Sequence, residues 1–543
     1  MAGNADTSTA ADRPASSGWS GGSVLVVLAG LVAVAVLLPL SWIVIAGFRV
    51  GFAGALDLLL REQTLSIVVN SFLLVGAVTG LSVLLAVPLA FLTTRTNLPF
   101  RRFFTVALAM PLVVPSYIGA FAFVSAFGPQ GQLQDALAPF GVETLPTIYG
   151  LVGSTLVLTL YTYPYVYITT RASLKSLDTT LVEAARTLRH TRWQAFKRVT
   201  LPQIRPAITA GSLLVALYAL SDFGTPAIMR YDVFTRVIYV EFNAFGRNMA
   251  ALLSLVLVLI TVAILAFERR AGGEDRVQTD RGHGNTQSLV RLGRWRWPAA
   301  AFCGGVTALA LVVPLGILGL WLVRGTDGVA GGLAFELQYV GNSVGIAVAA
   351  ALVAAIVGLP IAHLSARGSS RFGDVFERAS YVGYAVPGVV IGLALVFLGA
   401  RYGGGLYRTG VIAFPLLVFG YVVRFLPQAV GSTRASLLRV SPALPEAART
   451  LGRSPFGAFR SVTLPLIAPG QVGGAALVFL TTMKELPVTL LLKPPGFDTL
   501  VTQVWQATAS GHYGHAAVPS LILLFVSALS MLVILSMEGY DVK

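Results

Sequence analysis

With 543 residues, 55% hydrophobic side chains, only 12% charged ones and a mean hydropathy of +0.76, the chain falls outside the range of water-soluble globules, whose charged fraction is about twice as large. The net charge of +15 is carried mostly by the segments between apolar runs, which argues against a nucleic-acid partner and for a lipid membrane as the surroundings. Its single cysteine, Cys303, lies inside an apolar run and excludes an internal disulfide.

Residues 1–22 are a polar leader with one basic residue, Arg13, and read as a disordered cytoplasmic tail, because the apolar run that follows is longer than a signal-peptide core. Runs long enough for the helix of about 20 residues that spans a hydrocarbon core follow near 23–47, 67–93, 103–127, 146–170, 206–228 and 246–267. An Arg-rich cytoplasmic linker, 268–297, leads to six more near 298–323, 340–366, 381–400, 409–430, 469–491 and 517–537. The predicted fold is therefore an all-α integral membrane protein of about 12 transmembrane helices, in a first half over 23–267 and a second over 298–543. Of the 39 Lys and Arg residues, 29 fall in the segments on one side, the side that also holds both termini; Arg378 and Arg424 are counted there. The excess assigns that side, and with it both termini, to the cytoplasm of a bacterial or archaeal plasma (inner) membrane.

The halves are copies. Glu183-Ala-Ala-Arg-Thr-Leu-Arg189 and Phe196-Lys-Arg-Val-Thr-Leu-Pro202 return as Glu446-Ala-Ala-Arg-Thr-Leu-Gly452 and Phe459-Arg-Ser-Val-Thr-Leu-Pro465, 263 positions later and without a gap. Upstream, Asn70-Ser71, Pro88, Arg95 and Pro115 match Asn342-Ser343, Pro360, Arg367 and Pro387 at an offset of 272, so the first half carries nine extra residues (272 − 263), placed most simply in the outer loop 128–147. Six spans separate equivalent points, so the repeats are parallel and related by a pseudo-two-fold axis along the membrane normal.

Each polar phrase predicts a short cytoplasmic helix within the loops 171–205 and 434–468. Glu183 can close a capping box with Thr180, and Ser441-Pro442 is a helix start before Glu446. Ala184-Ala185 and Ala447-Ala448 leave one side nearly flat, with Leu188 and Leu451 further along it, a face suited to insertion into a partner's groove. Gly452 suits a left-handed helix end, whereas Arg189 makes the same turn harder in the first copy. Leu201-Pro202 and Leu464-Pro465 mark the turn into the next span.

The phrase Glu-Ala-Ala, three residues, Gly, nine residues, aliphatic, one residue, Leu-Pro resembles the signature loop of permease subunits of binding-protein-dependent ABC importers, here with Gly452, Val462, Leu464 and Pro465. The resemblance covers about 60–535, departs at Arg189, and implies the type I ABC importer permease fold. It implies that residues 183–189, 201–202, 446–452 and 464–465 form coupling helices seated on cytoplasmic ABC ATPase subunits, expected as a homodimer. It implies too that ATP is used by that partner and that no cofactor belongs to this chain. No Gly is followed by Lys, so a phosphate-binding Gly-x-x-x-x-Gly-Lys loop is missing from the sequence. The outer loops are short, which calls for a separate extracytoplasmic solute-binding protein docking near 128–147, 229–246 and 491–516.

The strings Lys484-Glu-Leu-Pro487 and Ser221-Asp-Phe-Gly-Thr-Pro226 resemble those of fused ferric-iron uptake permeases, which favours iron over thiamine, phosphonate or polyamine. Asp222 and Glu485 are equivalent under the 263 offset and, with Lys484, are candidates for the translocation path, since an ionised side chain inside a membrane costs a few kcal/mol unless paired or wetted. The competing role is to brace the bends at Pro226 and Pro487, with Lys484 or polar neighbours neutralising the acids. His512 and His515 read as surface residues, and no metal site is assigned. An ion-coupled secondary transporter is the alternative from another class, but such carriers are often built on inverted repeats, and this repeat is parallel.

Overall fold

The computed structural model describes residues 21–128, 134, 138–141, 147–177, 185, 187–189, 191–244, 246–271, 289–324, 335–367 and 371–537. Among them ten helices are long and apolar enough to cross a membrane, and twelve if each of two bent pairs counts as one span. The first half contributes α1 (Gly21–Arg49), α2 (Glu62–Arg95), α3 (Ser116–Phe127), α4 (Leu151–Ser176), α5 (Leu201–Ser221), α6 (Gly224–Ile228), α7 (Phe234–Asn243) and α8 (Arg247–Ala271). The second contributes α9 (Arg296–Thr307), α10 (Val313–Arg324), α11 (Leu337–Arg367), α12 (Arg371–Ala385), α13 (Gly388–Tyr402), α14 (Ala413–Arg439), α15 (Ala443–Thr450), α16 (Leu464–Met483), α17 (Pro487–Leu492), α18 (Leu500–Ala509) and α19 (Tyr513–Met537).

Each repeat is built on three mutually packed helices, α2, α4 and α5 in the first and α11, α14 and α16 in the second. Their interior prolines recur in register as Pro88 and Pro360, Pro164 and Pro427, Pro206 and Pro469. The leading span of each repeat crosses over to the other one: α1 packs on α11, α12 and α13, and α10 on α3, so the two halves share a core although they are separate in sequence. Of the linker 268–297, residues 272–288 lie outside the described residues. Its C-terminal part is fixed, with Asn97 N donating to Val290 O (3.2 Å) and Val290 N to Arg95 O (2.8 Å). The leader and most of the 128–147 loop also lie outside the described residues.

Four of the predicted spans are broken where hydropathy shows a continuous run. The runs near 103–127 and 381–400 bend by 92° and 100°, between Val113 and Ser116 and between Ala385 and Gly388. Pro115 and Pro387 sit at these bends with extended ψ of 133° and 141°, as expected of a residue that lacks an N–H and restricts its predecessor. The runs near 206–228 and 469–491 stop at Ser221 and Met483 and resume at Gly224 and Pro487.

Matching polar clamps hold the far end of each repeat. Asn70 Nδ2 donates to Asp232 O (3.1 Å) and Phe234 N to Ser71 Oγ (3.1 Å); Asn342 Nδ2 donates to Asp498 O (2.8 Å) and Leu500 N to Ser343 Oγ (2.8 Å). These pairs explain the recurrence of Asn-Ser, because each ties the start of α7 or α18 to its core helix. The offset here is 266 (498 − 232), so three residues enter the second half after the break.

At the opposite end, buried Arg95 Nη2 donates to the carbonyls of Leu174 (2.5 Å) and Leu177 (3.0 Å), and Arg367 Nη2 to that of Val440 (2.8 Å). Leu177 and Val440 are equivalent positions at the C-termini of α4 and α14, where orphan carbonyls favour a cation. The recurring arginines thus fix the points where the duplicated loops begin. Replacing Arg95 with Gln should lower stability by roughly 1–3 kcal/mol, and Arg367→Gln by less, since it loses one contact rather than two. Unfolding midpoints in lipid nanodiscs check the order.

Candidate functional site

Two regions bear on function, and the structure keeps them apart. One is the pair of loops at the end where α4 and α14 finish. Glu183 and Ala184 lie outside the described residues, as does Thr180, so the first capping box has no structural account here. In the second copy Ser441 offers its main-chain carbonyl to Leu444 N (3.2 Å), and no side-chain cap closes the start of α15 at Pro442. The end of α15 matches expectation: Gly452 has φ +85°, Gly452 N donates to Arg449 O (3.0 Å) and Arg453 N to Ala448 O (3.1 Å), a Schellman closure. Arg189 takes the same left-handed turn at φ +62°, which costs a side-chain-bearing residue about 1–2 kcal/mol.

The flat alanine face is not presented as expected at Ala185, which is 8% exposed, and Ala448 is half-buried; Glu446 and Ala447 are exposed. What each loop does present is a leucine and an aromatic residue at equivalent positions, Leu188 (73% exposed) with Trp193 (69%), and Leu451 (86%) with Phe456 (73%). The aromatic members were missed in the sequence because Trp and Phe do not register as an identity.

Each loop runs into its span through a π-turn, Phe196–Thr200 and Phe459–Thr463, where Leu201 N donates to Phe196 O and Leu464 N to Phe459 O. Pro202 and Pro465 are the cause, since a proline ring clashes with the carbonyl four residues back and forces the turn wider. Phe196 packs edge-on against Phe91 (5.6 Å) and Phe459 against His363 (6.1 Å), again equivalent positions, so His363 is part of this seat.

The second region is a cavity of about 590 Å³ between the halves. It reaches from the breaks at Asp222 and Glu485 toward Leu265 and Arg378, nearer the loop end, and six tyrosines contribute to its wall. On the far side Phe223 packs against Tyr239 (4.8 Å) and Trp505 (5.3 Å), with Tyr239 and Trp505, equivalent under the 266 offset, edge to face at 6.1 Å.

The structure brings Asp222, Lys484 and Glu485 together at this cavity. Asp222 Oδ1 accepts from Ser116 Oγ (2.7 Å), its Oδ2 from Thr225 N (2.9 Å), and its main-chain O from Thr235 Oγ1 (2.7 Å). Glu485 pairs with Arg424, Nη1 to Oε1 at 3.3 Å, accepts weakly from Val488 N (3.4 Å), and its main-chain O is bonded by Thr489 Oγ1. Both acids therefore cap the helix that resumes after a break. Lys484, the expected neutraliser, instead directs Nζ to Leu112 O (3.3 Å), and Arg424 takes its place. Arg424 was counted with the cytoplasmic loops, yet it lies inside α14 and lines the cavity. Room for it comes from Gly388, where an added Cβ would stand 1.9 Å from Arg424 Nη1 and 2.3 Å from Glu485 Oε1.

Removing one member of a buried ion pair costs about 3–5 kcal/mol, because it strands the other charge. Arg424→Gln should therefore destabilise the protein by about that much, and Arg424→Gln with Glu485→Gln by clearly less; unfolding midpoints of the two variants in lipid nanodiscs make the comparison.

The family model for the inner membrane component of binding-protein-dependent transport systems matches this chain twice, over residues 78–269 and 354–540. The chain is 32% identical over 513 residues to the Fe(3+)-transport system permease protein FbpB 2 of Haemophilus influenzae, covering 93% of this chain and 96% of that protein. It is 24% identical over 488 residues to the ferric transport system permease protein FbpB of Actinobacillus pleuropneumoniae, covering 85% and 69%. A sulfate transport system permease protein, CysT of Escherichia coli, matches 42% of the chain at 24% identity, about one repeat. With two family matches, helices in two repeats and no strand among the described residues, the chain belongs to the inner-membrane permease components of binding-protein-dependent transport systems, as a fused, duplicated type I ABC importer permease.

Proposed function

We propose that the chain is the permease of an ATP-driven importer of ferric iron, delivered by an extracytoplasmic binding protein, with ATP hydrolysed by a separate cytoplasmic ATPase. The observation that carries the reading is the pair of equivalent exposed surfaces, Leu188 with Trp193 and Leu451 with Phe456, beside π-turns that lead into helices that wall the cavity. Two like surfaces about a pseudo-two-fold axis suit two like partners, so the ATPase is a homodimer. Closure of that pair pushes on both loops, and the shared core carries the push to the cavity wall. The basic excess on the loop side supports a cytoplasmic location for the loops and both termini. With that orientation the cavity faces inward, and Phe223, Tyr239 and Trp505 seal its outer side.

Iron is supported by the two relatives named for ferric transport, one of them matching nearly the full length of this chain.

Uptake of radiolabelled ferric iron in cells lacking the chain tests both parts. Wild type should restore it. Leu188→Glu with Leu451→Glu should not: each lost apolar anchor costs an interface about 2 kcal/mol, so uptake falls more than about tenfold while the protein still reaches the membrane. Wild-type cells that import no more iron than the deletion strain would remove iron as the cargo; full uptake by the double variant would remove the loops as the ATPase contact.

A further inference from the structure

The central cavity is electrically lopsided. Its acids, Asp222 and Glu485, occupy equivalent positions in the two repeats, but its three cations belong to the second repeat alone. Where that repeat has Arg378, Arg424 and Lys484, the first has Val106, Tyr161 and Ser221. Three cations against two acids leave the lining one positive charge in excess.

Nor are the acids free. Asp222 is held by Ser116 Oγ and Thr225 N, and Glu485 by Arg424. The cations are freer: among the described residues neither Lys484 nor Arg378 has a carboxylate partner, and Lys484 Nζ reaches one main-chain carbonyl. The unsatisfied groups along the wall are donors as well. Tyr117 Oη and Tyr161 Oη are buried with no hydrogen-bond partner among the described residues. Buried polar groups that find no partner in the protein point to a ligand that supplies one, and a surplus of cations and hydroxyl donors asks for an oxyanion.

Size points the same way. About 590 Å³ lies within the roughly 300–1,000 Å³ of sites that hold organic molecules, far more than one ion fills. A naked trivalent cation would also be repelled by the excess positive charge.

We propose that the cargo enters this cavity as a ferric complex still carrying an anionic oxygen ligand, a phosphate or a polycarboxylate such as citrate, and that Lys484 and Arg378 seat that anion. The proposal rests on the ferric-iron reading above and specifies the form in which the metal travels. Arg424 is left to hold Glu485, so the seat for the anion and the ion pair inside the second repeat are different residues.

The test uses proteoliposomes holding the chain with its ATPase, supplied with binding protein loaded with ⁵⁵Fe and either ³²P-phosphate or ¹⁴C-citrate. In wild type one labelled anion should accumulate alongside iron, and the arm in which it does so identifies the ligand. Lys484→Gln with Arg378→Gln should lower iron uptake by about tenfold or more, whereas Lys484→Arg keeps it near wild type. ATP hydrolysis stimulated by the loaded binding protein shows that each variant is folded and assembled. Two results overturn the proposal while leaving iron import standing: iron entering with neither anion, or the double neutralisation raising iron uptake, as it would if these cations repelled a naked ion. If wild type accumulates no iron in either arm, the ferric-iron reading fails, and this proposal with it.

Discussion

A helix that stops at membrane depth frees amides and carbonyls that need partners in the protein or a wetted cavity, and among the described residues four spans are interrupted, two of them at Asp222 and Glu485. Each break carries its own remedy. Asp222 turns its carboxylate back to Thr225 N and gives its carbonyl to Thr235, while Glu485 faces Val488 N and gives its carbonyl to Thr489. The acids that satisfy the backbone must then be satisfied themselves, and that requirement shapes the rest of the site. The bends at Pro115 and Pro387 bring the starts of α3 and α13 against the breaks, delivering Ser116 to Asp222 and leaving a gap at Gly388 that Arg424 fills beside Glu485.

From one ancestral solution the two repeats have taken different routes. The first uses a neutral hydroxyl on its acid and keeps Tyr161 where the second has Arg424; the second uses an ion pair and adds Lys484 and Arg378 to the wall. The backbone devices stayed alike. Asn-Ser clamps, arginines at the C-termini of α4 and α14, and π-turns ahead of Leu-Pro occur in both. Duplication held the scaffold symmetric while the lining of the central cavity became polarised.

The division of the chain into two sets of six spans and the register of the copies were legible in the sequence, because membrane length and gapless identity are strong signals. The loops were legible as a recurring polar helix and turn but not in their detail. Identity marked Ala185, which turns inward, and passed over Trp193 and Phe456, which are equivalent in role but not in residue type. The breaks were legible only as bends at Pro226 and Pro487, because apolar residues continue on both sides of Asp222 and Glu485 and hydropathy counts one run where the backbone makes two. Arg424 was hidden for a related reason: a lone arginine near the end of an apolar run looks like a flanking charge, and only the packing of α14 against Gly388 and Glu485 places it inside. The exchange of α1 onto the second repeat leaves no mark in periodicity at all.

The central claim is mechanical: the two exposed loops are driven together by a partner, and the shared core converts that motion into a change at the cavity. Distances between spin labels at Leu188→Cys and Leu451→Cys, in a Cys303→Ser background and in complex with the ATPase, measure it directly. The label separation should shorten when the ATPase is trapped closed with ADP and vanadate, relative to the nucleotide-free complex. An unchanged separation in an assembly that still hydrolyses ATP would contradict the account.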